Sequence, residues 1–149
     1  MTLLFLCVCA SAANAKRAAC NNVLSRQADS EVGHLKTWKQ IYRAFRLYSA
    51  CDEGSIAEGY SEAVVRLLAA HWIQFSQLQN FAARDEAFRG FVLRHIDATT
   101  DSDDLAEIVT NAGQRCPKGG GSLCRAIRCQ AESARLRSET LVEPPTTGH

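Results

Sequence analysis

Two histidines and a run of acidic residues stand out in this 149-residue chain as side chains able to do chemistry. At helical spacing His71 falls among Tyr60, Val64, Leu67 and Leu68, and His95 among Phe88, Phe91, Val92 and Ile96. Both imidazoles are expected to be at least partly buried. A buried imidazole needs a hydrogen-bond partner, or it titrates away from its ordinary range. Two readings stand side by side. In one, His71 and His95 pair with each other or with Asp97 for acid–base work or metal binding. In the other, both are core residues bonded to backbone carbonyls or to tyrosine.

Asp97, Asp101, Asp103, Asp104 and Glu107 cluster around Thr99-Thr100. Oxygen ligands at that density suit calcium, but the glycine that the EF-hand loop needs is missing. Acids at a helix start are already accounted for by the helix dipole. Asp97, Asp101, Asp103 and Asp104 are retained as a surface for a basic partner. Glu53 and Glu58 are not pursued as a catalytic pair, because Ser55-Ile56-Ala57-Glu58 matches the S-x-x-E capping box. The chain has no G-x-S-x-G, H-E-x-x-H, G-x-x-x-x-G-K-S/T or G-x-G-x-x-G motif. No catalytic residue, metal or cofactor is expected, and the chain reads as a non-enzyme.

The cysteines speak to compartment. Leu3 to Ala10 is apolar and uncharged, and Ala13-Asn14-Ala15 precedes Lys16-Arg17. This is the pattern of a secretory signal at residues 1–15, too short to span a bilayer. The alternative is a buried N-terminal helix in a cytosolic protein. Cleavage after Ala15 leaves Cys20, Cys51, Cys116, Cys124 and Cys129, for which export makes disulfides the default. A Cys116–Cys124 bridge is expected, because the glycines of Pro117-Lys118-Gly119-Gly120-Gly121 let a short loop close without strain. Cys51 is then left to pair with Cys20 or with Cys129. No C-x-x-C pair offers a zinc site, and no C-x-x-C-H offers a haem.

The elements that must position these residues read as helices throughout. Leu35, Trp38, Ile41, Tyr42, Phe45 and Tyr48 share one face of a helix over 32–49, with Lys36, Lys39, Arg43 and Arg46 opposite. A second helix runs from Ser55 to about Trp72, and a short third carries Phe75, Leu78 and Phe81. Asp85 caps a fourth, and Asp101 or Ser102 a fifth that ends at Gly113. Leu123, Ile127, Ala131 and Ala134 mark a last helix. The expected fold is all-α: a single-domain bundle of about five or six helices over residues 16–140, with one or two disulfides and a disordered tail at 141–149.

The net charge of +1 offers no general attraction to nucleic acid or an anionic membrane. It is unevenly spread: residues 16–50 carry a net of +5, residues 51–110 a net of −7 and residues 111–149 a net of +3. The acidic middle either neutralises its basic neighbours on folding or meets a basic partner, with Asp97–Asp104 at its exposed edge.

A Cys after the first long helix, in Tyr48-Ser49-Ala50-Cys51, is followed by Phe91-Val92-Leu93-Arg94-His95-Ile96-Asp97 and later by Asp104-Leu105. In this layout the chain resembles the amidase-immunity proteins of bacterial type VI secretion, over about half its length. The resemblance implies periplasmic residence and a protein partner, a peptidoglycan amidase that it blocks. Two other functions stay open: a small enzyme or metal site using His71, His95 and Asp97, and a disulfide-stapled structural domain. Oligomeric state is not readable.

Overall fold

A computed structural model describes residues 19–142, with side chains as far as residue 140. The expected signal segment and nearly all of the expected tail lie outside the described residues. Seven α-helices follow one another: α1 (Asn22–Val32), α2 (Trp38–Tyr48), α3 (Gly54–Ala70), α4 (Phe75–Ala82), α5 (Glu86–Arg94), α6 (Ser102–Gln114) and α7 (Gly121–Val142). Single 3-10 turns at Ser49–Cys51 and Trp72–Gln74 flank α3. No strand occurs among the described residues. The fold is an all-α domain with two disulfides.

The helix expected over 32–49 is confined to α2, and α1 before it was not expected. α1 ends at Val32 with Gly33 after it, and it starts where the Asn21 side chain accepts from the N–H groups of Val23 and Leu24 at 3.0 Å. α2 then opens on a capping box: the Thr37 hydroxyl accepts from Gln40 N–H (3.2 Å), and the Gln40 carboxamide accepts from Thr37 N–H (3.1 Å). Trp38, Ile41, Phe45 and Tyr48 face the core, while Lys39, Arg43 and Arg46 stay in water.

The box expected at Ser55–Glu58 does not form. α3 begins one residue earlier at Gly54, whose φ of +53° is natural only for glycine. Ser55, already inside the helix, donates its hydroxyl to Asp29 Oδ1 (2.8 Å) and ties α3 to α1. Glu58 is thereby free of the helix end. Gly59 lets α3 pack tightly on α1: a Cβ there would stand 2.5 Å from Val32 Cγ2. At the other end α3 has no glycine cap. Instead the buried Asn111 of α6 donates its amide to the carbonyls of Leu68 and Ala69, each at 3.0 Å. Gly113 likewise does not end its helix, since α6 runs on to Gln114.

A continuous string of rings joins four helices. Tyr42 stacks on Phe81 (4.5 Å between centroids) and meets Phe88 edge-on (4.9 Å). Phe45 bridges Phe88 and Phe91 (5.2 and 4.9 Å), and Phe91 touches Tyr60 (4.9 Å) and His95 (4.4 Å). Rings at these spacings favour one another beyond the area they bury. α6 and α7 lie along each other, and Cys116–Cys124 closes the turn between them with Cα atoms 6.1 Å apart. Cys20 takes Cys51 and pins the start of α1 to the turn before α3. In the chain-entropy model this longer loop contributes about 3.7 kcal/mol and the shorter about 2.6 kcal/mol. Cys129 stays a free, exposed thiol.

Candidate functional site

The string of rings ends on the residue with the most chemistry. His95 follows α5 directly and is 95% out of contact with water, being 5% exposed. Its Nδ1 lies 2.9 Å from Ser61 Oγ, and its Nε2 lies 3.2 Å from Asp52 Oδ2. The partners come from α3 and from the segment before it, 34 and 43 residues away. An ionised Asp52 only accepts, so Nε2 carries a hydrogen, and the hydroxyl of Ser61 donates to Nδ1 while the ring is neutral. The imidazole is thus a core residue held by Ser61 and Asp52, not by backbone carbonyls or tyrosine.

His71 does not take part. It is exposed, because Asn111 ends α3 at Ala70 and the chain leaves the helical phase that would have turned His71 inward. Ser61 touches His95, and His71 follows ten residues later, about 15 Å along α3 at 1.5 Å per residue. Nor does Asp97 meet His95. Its Oδ1 accepts from the backbone N–H and hydroxyl of Thr99. Among the described residues, no three His, Cys, Asp or Glu side chains converge closely enough to hold a metal ion.

Ser61 opens onto a cleft of about 780 Å³ between α3 and the α5–α6 loop. Five carboxylates line it, those of Glu58, Glu62, Asp97, Asp101 and Asp104, against one cation, Arg66. Arg66 is engaged: it pairs with Glu62 (3.2 Å) and donates to the Leu35 carbonyl (2.6 Å). Asp103 does not line the cleft; it sits exposed in the first turn of α6. Asp101 lines the cleft and also caps α6, accepting from the N–H groups of Asp103 (2.9 Å) and Asp104 (3.4 Å).

Four acids of the cleft have no cation beside them. Elsewhere Asp29, Glu31, Asp52, Asp85, Glu86, Glu107 and Glu132 each accept from a hydroxyl, an imidazole or a guanidinium. Among the described residues no Lys or Arg lies within ion-pair distance of Glu58, Asp97, Asp101 or Asp104. Gathered in one cleft, these carboxylates give it a negative field that favours a cationic group.

Asp52, His95 and Ser61 are connected in the order of a hydrolytic triad. The surroundings differ from such a site in what faces the serine. Ser61 lies inside α3, where backbone N–H groups are spent on the helix. At the cleft mouth the N–H groups of Thr99, Thr100, Asp103 and Asp104 are bonded to Asp97 or Asp101. An oxyanion growing there would face carboxylates where preorganised donors are required.

Two tyrosines border the buried polar cluster. Tyr48 donates to Glu31 (2.9 Å), and burial with that bond raises its phenol above the ordinary value. Burial first, and then the charge of Asp52, push the Tyr60 phenol far above it. Among the described residues the Tyr60 hydroxyl meets no hydrogen-bonding group. A raised folded-state value favours the neutral form. The stability it adds is complete below about pH 10 and is lost as pH rises further. Tyr60→Phe should therefore be at least as stable as wild type at neutral pH and lose less stability above about pH 10. Thermal melts across alkaline pH check this; a variant less stable than wild type at neutral pH would show that the hydroxyl has a partner.

His95→Ala strands Asp52 and Ser61 together and should cost about 2–3 kcal/mol, measured by urea unfolding. A loss under about 0.5 kcal/mol would mean that neither bond holds the helices.

Sequence reasoning kept Asp97, Asp101 and Asp104 but missed Glu58, Glu62, Ser61 and Asp52. Glu58 and Glu62 were one and two turns apart from Ser55 on α3, a stripe legible in principle once the capping box is set aside. Comparison with family models, with curated proteins and with solved structures gives no match to this chain.

Proposed function

We propose that the protein is an exported binding protein whose acidic cleft holds a basic segment of a protein partner. The observation that carries this reading is the cleft itself, where Glu58, Asp97, Asp101 and Asp104 face one volume without counter-ions. The carboxylates are too dispersed to close on one metal ion, so an extended cationic group such as an arginine or lysine side chain suits them better. Two disulfides accord with an oxidising compartment outside the cytosol. The resemblance to amidase-immunity proteins supplies the finer reading: the partner is a peptidoglycan amidase, and binding blocks it. The alternative of a serine hydrolase using Ser61, His95 and Asp52 has the connectivity, but the N–H groups of Thr99, Thr100, Asp103 and Asp104 at the cleft mouth are already spent on Asp97 and Asp101. The earlier His71–His95–Asp97 site has no support in the geometry.

The test is comparative. Immobilised wild-type protein should retain from exported proteins a partner that the Glu58→Lys/Asp104→Lys variant loses, and should slow that partner's cleavage of peptidoglycan amide bonds. A partner held equally by both proteins would place the interface outside the cleft. An uninhibited partner would remove the amidase reading.

A further inference from the structure

We propose that the Asp52–His95–Ser61 chain sets the polarity of the cleft floor, so that cation binding weakens as pH falls through the imidazole range. This rests on the cleft reading given above. With a neutral ring, Nε2–H donates to Asp52 Oδ2 and Nδ1 accepts the Ser61 hydroxyl hydrogen. The lone pairs of Ser61 Oγ then face the cleft and join the carboxylates as acceptors for a cation. Protonation gives both ring nitrogens a hydrogen. Nδ1–H now donates to Ser61 Oγ, and the hydroxyl hydrogen turns toward the cleft. The floor changes from acceptor to donor, with a positive charge one hydrogen bond behind it. Both changes oppose a guanidinium or ammonium group in the cleft. By linkage a bound cation must in turn hold His95 neutral.

Few titratable groups surround the imidazole. Asp52 faces it from the segment before α3, and Tyr60 from α3 with ring centroids 5.7 Å apart. Arg94 and Asp97 flank it in its own segment, and Gln130 of α7, bonded to the Ile96 carbonyl, is uncharged. Glu31 and Tyr48 act by charge on Tyr60. Glu58 and Glu62 flank Ser61 on α3 and Asp97, Asp101 and Asp104 face it across the cleft, so His95→Gln is the control that separates the imidazole from these carboxylates in a comparison between about pH 5.5 and about pH 8.

The experiment titrates a tetra-arginine peptide by calorimetry at those two pH values into wild type, His95→Gln and Ser61→Ala, each checked for fold by circular dichroism. Glutamine keeps a donor and an acceptor but cannot titrate in this range. Wild type should bind roughly fivefold or more weakly at the lower pH, the lower end of ordinary coupling between sites. His95→Gln should show no such change. Ser61→Ala, which keeps the imidazole and Asp52, should bind more weakly than wild type at the higher pH and with a shallower pH dependence. Equal pH dependence in wild type and His95→Gln would overturn the proposal. If His95→Gln does not fold, a Ser61→Ala profile identical to wild type overturns it instead. Failure of wild type to bind the peptide at either pH would sink the cleft reading and this inference together.

Discussion

Phe91→Ala should cost about 3–5 kcal/mol, the range for removing a buried aromatic ring that the surroundings cannot refill. Phe91 is fully buried and touches Phe45, Phe88, Tyr60 and His95. Its loss breaks the string of rings at the point where α2, α3 and α5 meet. The cavity would also remove a ring packed on His95, so part of the cost should be shared with His95→Ala. In a double-mutant cycle the two losses should add to less than their sum, since residues in contact couple. Urea unfolding of the four proteins measures both quantities. Strict additivity would mean that the ring and the imidazole are held independently.

Much of this fold was legible because its signals are local. The alternation of Trp38, Ile41, Phe45 and Tyr48 with Lys39, Arg43 and Arg46 marks α2 at any reading. Asp85 caps the helix it was expected to cap, accepting from Phe88 N–H (3.0 Å), and of the two candidates Asp101 and Ser102 it is Asp101 that caps α6, accepting from Asp103 N–H (2.9 Å). Cys116 and Cys124 are separated by a loop short and glycine-rich enough to close by itself. α1 escaped because it buries only Ala28 and Val32 and rests on a cap at Asn21. What the sequence could not show was set by tertiary contacts. Asn111 ends α3 from another helix, and that contact, not periodicity, puts His71 in water. Ser61 and Asp52 carry no motif; they matter only because packing brings His95 between them. Glu58 was assigned to a local cap, but α3 starts at Gly54 and leaves Ser55 inside the helix.

Glu58→Lys combined with Asp104→Lys should weaken binding of a basic segment by roughly 10–100-fold, mostly through slower association. The wild-type lining carries five carboxylates and one guanidinium, a net of −4; two reversals add four charges and bring it to zero. At about 8 Å and an effective dielectric near 20, one unit pair is worth about 2 kcal/mol, so removing the excess charge removes most of the attraction. Glu58 and Asp104 are the positions to change, because Asp101 also caps α6 and its reversal would confound binding with stability. The remaining affinity should vary little with salt, whereas wild-type binding should weaken steeply as salt rises. Stopped-flow association at low and moderate ionic strength reads both effects.

The most direct test of the cleft is residue-resolved. Amide chemical shifts of the wild-type protein are followed by nuclear magnetic resonance as tetra-arginine is added at low salt. Shifts concentrated at residues 57–62 and 97–104, and absent in the Glu58→Lys/Asp104→Lys variant, are the predicted result. Shifts spread evenly over the acidic surfaces at Glu86, Glu107 and Glu132, or none at the cleft, would contradict the claim that this cleft is where the protein takes a basic partner.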